Sequence, residues 1–169
     1  MKTAGAILAI AVALVLQTTL TRFVFRGTFA PDLVLVVVVF VGLMWGPVAG
    51  LLAGTVAGLA QDALTSGVLG IGGLSKTIVG FLSGVIGTQF IVAAWLPRFV
   101  VFFGATAVNA AAFMGLYALL DLRHFGTPYA RVAWEGLANA VIGLVLFQIV
   151  ELLPGAVERR RVQKTGIRL

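Results

Sequence analysis

Long apolar runs, separated by short polar or glycine- and proline-containing breaks, occupy most of the chain. Six such runs cover approximately residues 4–20, 33–45, 47–64, 74–93, 99–120 and 131–153. Apolar runs of about 20 residues are typical of transmembrane helices, because lipid forces the backbone to satisfy its own hydrogen bonds. The pattern predicts an all-α polytopic membrane protein with six transmembrane helices. By length it is a single domain, residues 1–169, ending in a tail from about residue 155.

The composition supports a membrane location. Hydrophobic residues make up 60% of the chain and charged residues 11%, and the mean hydropathy is +1.10. Soluble domains carry about 25% charged residues, so an ordinary soluble helical bundle is excluded. The chain has no cysteine, which excludes disulfides and thiolate chemistry.

The net charge of +6 would suggest a nucleic-acid partner if the protein were soluble. Here, however, five of the twelve basic residues lie in the tail: Arg159, Arg160, Arg161, Lys164 and Arg168. A basic segment beside a membrane helix is a cytoplasmic topology signal that also favours anionic lipid. We therefore expect membrane lipid as a partner and no nucleic acid.

Six spans would place both termini on one side of the membrane. With that side cytoplasmic, the inside holds seven basic residues: Lys2, Arg98 and the five of the tail. The outside then holds the other five: Arg22, Arg26, Lys76, Arg123 and Arg131. This small bias predicts that both termini are cytoplasmic. A five-span arrangement, with the short second run re-entrant, is the alternative.

The first run is interpreted as a retained helix, because no small-residue cleavage site closes it as in a signal peptide. A basic and aromatic segment suited to the headgroup layer follows: Arg22, Phe23, Phe25, Arg26 and Phe29. Pro31 and Asp32 open the second run, where proline suits the first helical turn and a carboxylate suits the positive end of the helix dipole.

Glycines recur at every fourth position in the third and fourth runs. The third run carries Gly46, Gly50, Gly54 and Gly58, and the same step then reaches Asp62. The fourth run carries Lys76, Gly80, Gly84 and Thr88 at this spacing. Ridges of small residues let two membrane helices approach closely, with a right-handed crossing near about −40°. We therefore predict a tightly packed helical hairpin.

Asp62 and Lys76 are ionisable groups close to this hairpin's turn. They have three interpretations: headgroup-level markers of the helix ends, an ion pair joining the two helices, or a contact to a partner or ligand. Asn109, Glu135 and Asn139 are polar residues in the fifth and sixth runs. They are interpreted as hydrogen-bonding groups between these two helices, or alternatively as the lining of a small polar cavity open to the outside.

No motif supports an enzyme, a metal site or a cofactor. The segment from Gly70 to Thr77 resembles a phosphate-binding loop, but Ser75 replaces its second glycine and no strand precedes it. The single His124 has no neighbouring cluster of metal-binding residues. We therefore expect a non-enzymatic protein without a cofactor.

The layout resembles a known family. Pro31-Asp32 precedes an aliphatic run, the glycine-rich helix ends in Gly58-Leu-Ala-Gln-Asp62, and Ser66-Gly-Val-Leu-Gly70 follows. With the six apolar runs and the basic C-terminus, these features are similar to the bacterial rod shape-determining MreD family. In this resemblance Asp62, Leu69 and Gly70 match recurring family positions.

The resemblance implies a scaffold in the bacterial inner membrane that belongs to the cell-elongation machinery for peptidoglycan synthesis. It implies MreC as the direct partner, with RodA, a class B penicillin-binding protein and MreB in the wider complex. It also implies a fold similar to the substrate-binding component of energy-coupling-factor vitamin transporters. That similarity supplies the competing hypothesis, a small-solute-binding component of a transporter, although aromatic side chains suited to a vitamin pocket are few in the outer half.

Overall fold

The computed structural model describes residues 2–23, 30–65, 68–90, 94–121 and 129–152. These residues form six helices: α1 (Lys2–Phe23), α2 (Leu33–Trp45), α3 (Pro47–Leu64), α4 (Ile71–Gln89), α5 (Trp95–Leu119) and α6 (Tyr129–Leu152). The basic and aromatic positions at 25, 26 and 29, the loop containing His124 and the basic tail lie outside the described residues. Over the described residues, the predicted all-helical architecture with six helices is thus confirmed.

The predicted bounds of α2 and α3 agree with the structure, whereas α4 and α5 each begin earlier than predicted. α4 begins at Ile71, so Gly72 and Gly73, which precede the predicted run at residue 74, lie in its first turn. α5 begins at Trp95, so Pro97, which precedes the predicted run at residue 99, lies within its first turn. Proline is tolerated there because the first N–H groups of a helix have no partner within the helix.

Four helices, α3 to α6, are long and apolar enough to cross a membrane. The apolar part of α1 (Ala4–Leu20) and the whole of α2 are shorter. At about 1.5 Å per residue, α2 is about 20 Å long, less than the hydrocarbon core of about 30 Å. The short α2 is instead enclosed by protein.

α2 lies at the centre of the bundle and packs against all five other helices. One of its faces packs on α1 and α3, with Val34 and Val38 against Ile10 and Ala57. The opposite face packs on α4, α5 and α6, through contacts that include Val79, Phe102 and Phe147 with buried residues of α2. A helix enclosed on every side has no polar face, which explains its almost continuous run of valine and leucine.

α3 and α4 pack backbone to backbone along the glycine ridges. A Cβ on Gly50 would collide with the Gly80 carbonyl, and one on Gly54 would collide with the Lys76 carbonyl. A Cβ on Gly58 would lie 2.6 Å from the Gly73 Cα. The hydroxyls of Thr55 and Thr77 are hydrogen-bonded at 2.8 Å across the same interface.

Two other glycines take part in this close packing, one within the hairpin and one in α2. At Gly84, a Cβ would collide with the Pro47 backbone. At Gly42 of α2, it would lie 2.7 Å from the Gly80 carbonyl oxygen, so α2, α3 and α4 meet around Gly42, Gly50 and Gly80. The sequence pattern did not include Gly42, because it stands alone in a valine-rich run.

Gly46 has a different role from the ridge position predicted for it. It lies between α2 and α3 with φ +92°, a backbone conformation that favours glycine. A Cβ there would be 3.6 Å from Thr88, which is ordinary contact distance, so the turn conformation and not close packing requires this glycine.

We expect Gly80→Ala to destabilise the protein by about 1–3 kcal/mol, because the added methyl group meets backbone atoms that cannot rotate away. Gly54→Leu and Gly84→Leu should separate the α3–α4 hairpin for the same reason. The measurement is the unfolding midpoint of the purified protein in detergent.

Gly104→Ala and Gly115→Ala are the matched controls, since nothing lies within 4 Å of a Cβ at either position. They should leave the midpoint unchanged or raise it, because alanine has the higher helix propensity. Equal midpoints for Gly80→Ala and the controls would show that the glycine contacts do not limit packing.

Candidate functional site

Polar side chains converge at the end of the bundle where α1, α3 and α5 end and α2, α4 and α6 begin; we call it the cavity end. A cavity of about 410 Å³ opens there. Its lining comes from the ends of α3 and α5, the starts of α4 and α6, and the residue that precedes α2. The polar and charged lining residues are Asp32, Gln61, Asp62, Thr65, Lys76, Asn109, Tyr117, Arg131 and Glu135.

Lys76 forms an ion pair with Asp32, with 2.8 Å between Nζ and Oδ2. Both side chains are buried, and Asp32 also accepts a hydrogen bond from the Leu35 N–H at 2.9 Å as the N-cap of α2. A capping carboxylate is favoured by the positive end of the helix dipole. One residue therefore caps α2 and neutralises the buried cation of α4.

The interpretation of Asp62 and Lys76 as an ion pair is wrong, because Lys76 pairs with Asp32. Asp62 lies at the end of α3 and accepts hydrogen bonds from the Gly70 N–H at 2.9 Å and the Gly73 N–H at 3.1 Å. It therefore meets α4 at its N-terminus, whereas Lys76 lies about one turn further along and faces α2. The dipole of α4 stabilises the Asp62 carboxylate in place of a cation.

The glycine-rich turn before α4 is built around the Asp62 carboxylate. Gly70 has φ +100°, in the left-handed region, and a Cβ on Gly72 would collide with Asp62 Oδ1. Gly72 therefore leaves the space that the carboxylate occupies. Leu69, the other family-like position of this turn, is 69% exposed and takes no part in the cavity.

The buried N-terminus of α2 is satisfied by side chains from several helices. Gln17 of α1 accepts a hydrogen bond from the Val34 N–H at 3.1 Å. Asn139 of α6 accepts one from the Asp32 N–H at 2.9 Å and donates to the Thr106 hydroxyl of α5 at 3.1 Å. Asn139 is thus a hydrogen-bonding group between α5 and α6, as one interpretation of the sequence held, and it also reaches α2.

Asn109 and Glu135 do not join α5 to α6. The Ser75 hydroxyl of α4 donates to the Asn109 Oδ1 at 3.0 Å, so Asn109 connects α5 to α4. Glu135 is half-buried, lines the cavity and accepts no hydrogen bond from any described residue. It lies within electrostatic range of Asp32, Arg131 and Lys76.

Gln61 carries an unsatisfied group. Its Oε1 atom is buried in the wall of the cavity and has no hydrogen-bond partner among the described residues. A buried acceptor without a donor is unfavourable, and in native proteins it is uncommon. Gln61 and Glu135 therefore leave two acceptors available to a molecule in the cavity.

At the opposite end of the bundle, Arg98 of α5 joins Glu151 of α6. The two guanidinium nitrogens donate to the two carboxylate oxygens at 3.2 and 2.6 Å, and the guanidinium carbon lies 4.6 Å from the Phe147 ring centroid. Bidentate Arg–carboxylate pairs of this kind fix geometry. This pair was not predicted, because the partners are 53 residues apart and Arg98 precedes the predicted fifth run.

The described residues contain no group of three His, Cys, Asp or Glu that could hold a metal ion. Most of the polar groups at the cavity end are instead engaged in helix caps, ion pairs and hydrogen bonds between helices. The chemistry that the cavity offers is recognition, with two cationic and several acceptor groups around one space.

We expect Lys76→Met to destabilise the protein by about 3–5 kcal/mol, because it leaves the buried Asp32 carboxylate unpaired. Adding Asp32→Asn should restore much of this loss, since asparagine remains a good N-cap and removes the unpaired charge. Detergent unfolding of the wild type, the two single variants and the double variant gives the coupling energy. Additive effects would contradict a direct ion pair.

Asp62→Leu should destabilise the α3–α4 hairpin by about 1.5–3 kcal/mol, the range for hydrogen bonds to a charged group, because the Gly70 and Gly73 N–H groups lose their acceptor. Asp62→Asn should cost less, since its amide oxygen can still accept. Hydrogen exchange at Gly70 and Gly73 measures the effect locally. Unchanged exchange in Asp62→Leu would show that the carboxylate does not cap α4.

Comparison with curated proteins gives no match, and comparison with solved structures gives none either. The expected similarity to the substrate-binding component of energy-coupling-factor transporters therefore has no support. Residues 2–156, nearly the whole chain, match the family model described as rod shape-determining protein MreD. The match includes all six helices and every residue of the cavity. The chain therefore belongs to the MreD family, and its role lies in the determination of rod shape.

Proposed function

We propose that the protein is a non-enzymatic scaffold in the cytoplasmic membrane, which supports rod shape through a complex with MreC. The observation that carries the proposal is the family match over residues 2–156. In the wider assembly it would act beside RodA, a class B penicillin-binding protein and MreB during peptidoglycan elongation.

The internal construction of the bundle suits a scaffold. Backbone-to-backbone packing at the glycine ridges, the ion pair of Lys76 with Asp32 and the pair of Arg98 with Glu151 fix the helices at both ends. A partner would therefore meet a surface of constant shape. Binding to a preorganised surface avoids part of the ordering entropy that a flexible one would lose.

The proposed membrane arrangement has six passes and cytoplasmic termini, with the cavity end outside. Large apolar side chains are exposed along the helices, for example Val48, Leu52 and Val56 on α3, as lipid contact requires. Trp45 and Trp95 are exposed at the end opposite the cavity, and Tyr129 and Trp134 are exposed near the cavity end. Aromatic residues at two levels are typical of the two membrane interfaces.

A small-solute-binding membrane component is the second candidate function, and the cavity of about 410 Å³ favours it. Volumes of this size accommodate small molecules. The two candidate functions predict different effects of depletion, since only the scaffold is needed for cell shape.

The proposed scaffold should co-purify with the MreC of the same cell from detergent extracts, and cells depleted of it should become round. Asp62→Leu should lower the yield of the complex, whereas Gly115→Ala, a change in open space, should not. Normal shape together with lost uptake of a vitamin after depletion would favour the second candidate.

A further inference from the structure

The cavity contains more hydrogen-bond acceptors than the protein itself uses. Gln61 Oε1 is buried and unpartnered, and the Glu135 carboxylate, half-buried in the same lining, accepts nothing from the described residues. Leaving the buried Gln61 oxygen without a donor is costly. A molecule that brings N–H donors and a positive charge would satisfy both groups.

The other acceptors of the lining already have partners. Asp32 is paired with Lys76, Asp62 accepts from the first turn of α4, and Asn109 Oδ1 accepts from Ser75. A ligand could bind these groups only by breaking bonds that hold the helices together. A ligand is therefore expected to bind in the part of the cavity where Gln61 and Glu135 lie.

The remaining lining indicates what surrounds a bound cation. Phe113 and Tyr117 form a ring pair with centroids 4.8 Å apart on the α5 side. Aromatic faces attract cations, especially where water is excluded. Arg131, whose side chain is exposed, provides a positive group at the α6 side of the cavity, suited to an anion on the same ligand.

We propose that this cavity binds a protonated primary amine carried by a molecule that also has a phosphate or a similar anion. The ammonium donates to Gln61 Oε1 and to the Glu135 carboxylate, and the anion faces Arg131. A lipid headgroup and a free phosphoamine share this chemistry. Both fit a cavity of about 410 Å³ at one end of the helices.

The test uses the full-length protein, purified in a detergent without amines and depleted of lipid. Its unfolding midpoint is measured with added phosphatidylethanolamine or phosphatidylcholine, and separately with free phosphoethanolamine or phosphocholine. The choline compounds carry the same phosphate and positive charge but have no N–H donor. We expect the ethanolamine compounds to raise the midpoint and the choline compounds to leave it unchanged.

Two substitutions locate the binding. Gln61→Met removes the acceptor at similar volume, and Glu135→Gln removes the charge. Each should weaken the apparent affinity about tenfold or more, as expected for losing a hydrogen bond to a charged group. Gln148→Met and Glu151→Gln, both on α6 but away from the cavity, should keep the ligand-induced shift even where the midpoint itself falls.

A shift with the lipid alone identifies the headgroup as the source, and a shift with both ethanolamine compounds identifies the phosphoamine itself. Equal shifts with ethanolamine and choline compounds would overturn the proposal. So would a complete lack of response, or shifts that persist unchanged in both Gln61→Met and Glu135→Gln.

Discussion

The buried N-terminus of α2 is the constraint on which the arrangement of the other helices depends. Its first N–H groups have no partner within the helix, and enclosure by five helices keeps them from water. Each unsatisfied group would cost several kcal/mol in an apolar surrounding, which is a large part of the about 5–15 kcal/mol by which a folded protein is stable. Partners therefore have to come from the neighbours, and Gln17, Asp32 and Asn139 provide them.

This requirement also explains a buried lysine. Asp32 caps α2, and a capping carboxylate buried at that depth needs a counter-charge, which Lys76 supplies from α4. Such a pair adds little net stability over an apolar pair of the same size, but removing one partner is costly. Apolar contacts do not distinguish one neighbouring helix from another in lipid. The ion pair and the hydrogen bonds around it thus specify which helices meet, and in which register.

Close approach of the backbones makes the central position of α2 possible. At Gly42, Gly50 and Gly80, three helices meet without side chains between them. The short α2 can then be covered on one face by α1 and α3 and on the other by α4, α5 and α6. The glycines allow the helix backbones to approach closely. The ion pair and the hydrogen bonds around Asp32 determine which helices lie side by side.

Sequence reasoning predicted the elements of this arrangement better than the partners within it. Apolar run length predicted six helices, and the four-residue glycine spacing predicted the α3–α4 interface, because both patterns are local. The partner of Lys76 was not predicted, because Asp62 is nearer along the chain and Asp32 had already been assigned to the dipole of α2. Only the packing of α2 against α4 brings Asp32 to Lys76. The hydrogen-bond donor of Asn109 was not predicted either, since nothing in the sequence marks Ser75 as its partner.

The two ends of the bundle differ in how fully their polar groups are used, and this difference separates stability from recognition. At one end, Arg98 and Glu151 satisfy each other in a bidentate pair. At the other, the groups that hold α2 and α4 are satisfied, but Gln61 and Glu135 have no donor among the described residues. A bundle that needed Gln61 only for packing would be better served by an apolar side chain there, because a buried unpaired acceptor opposes folding. The unused acceptors therefore mark the part of the molecule where selection for a bound ligand, and not for the fold, is the simpler physical explanation.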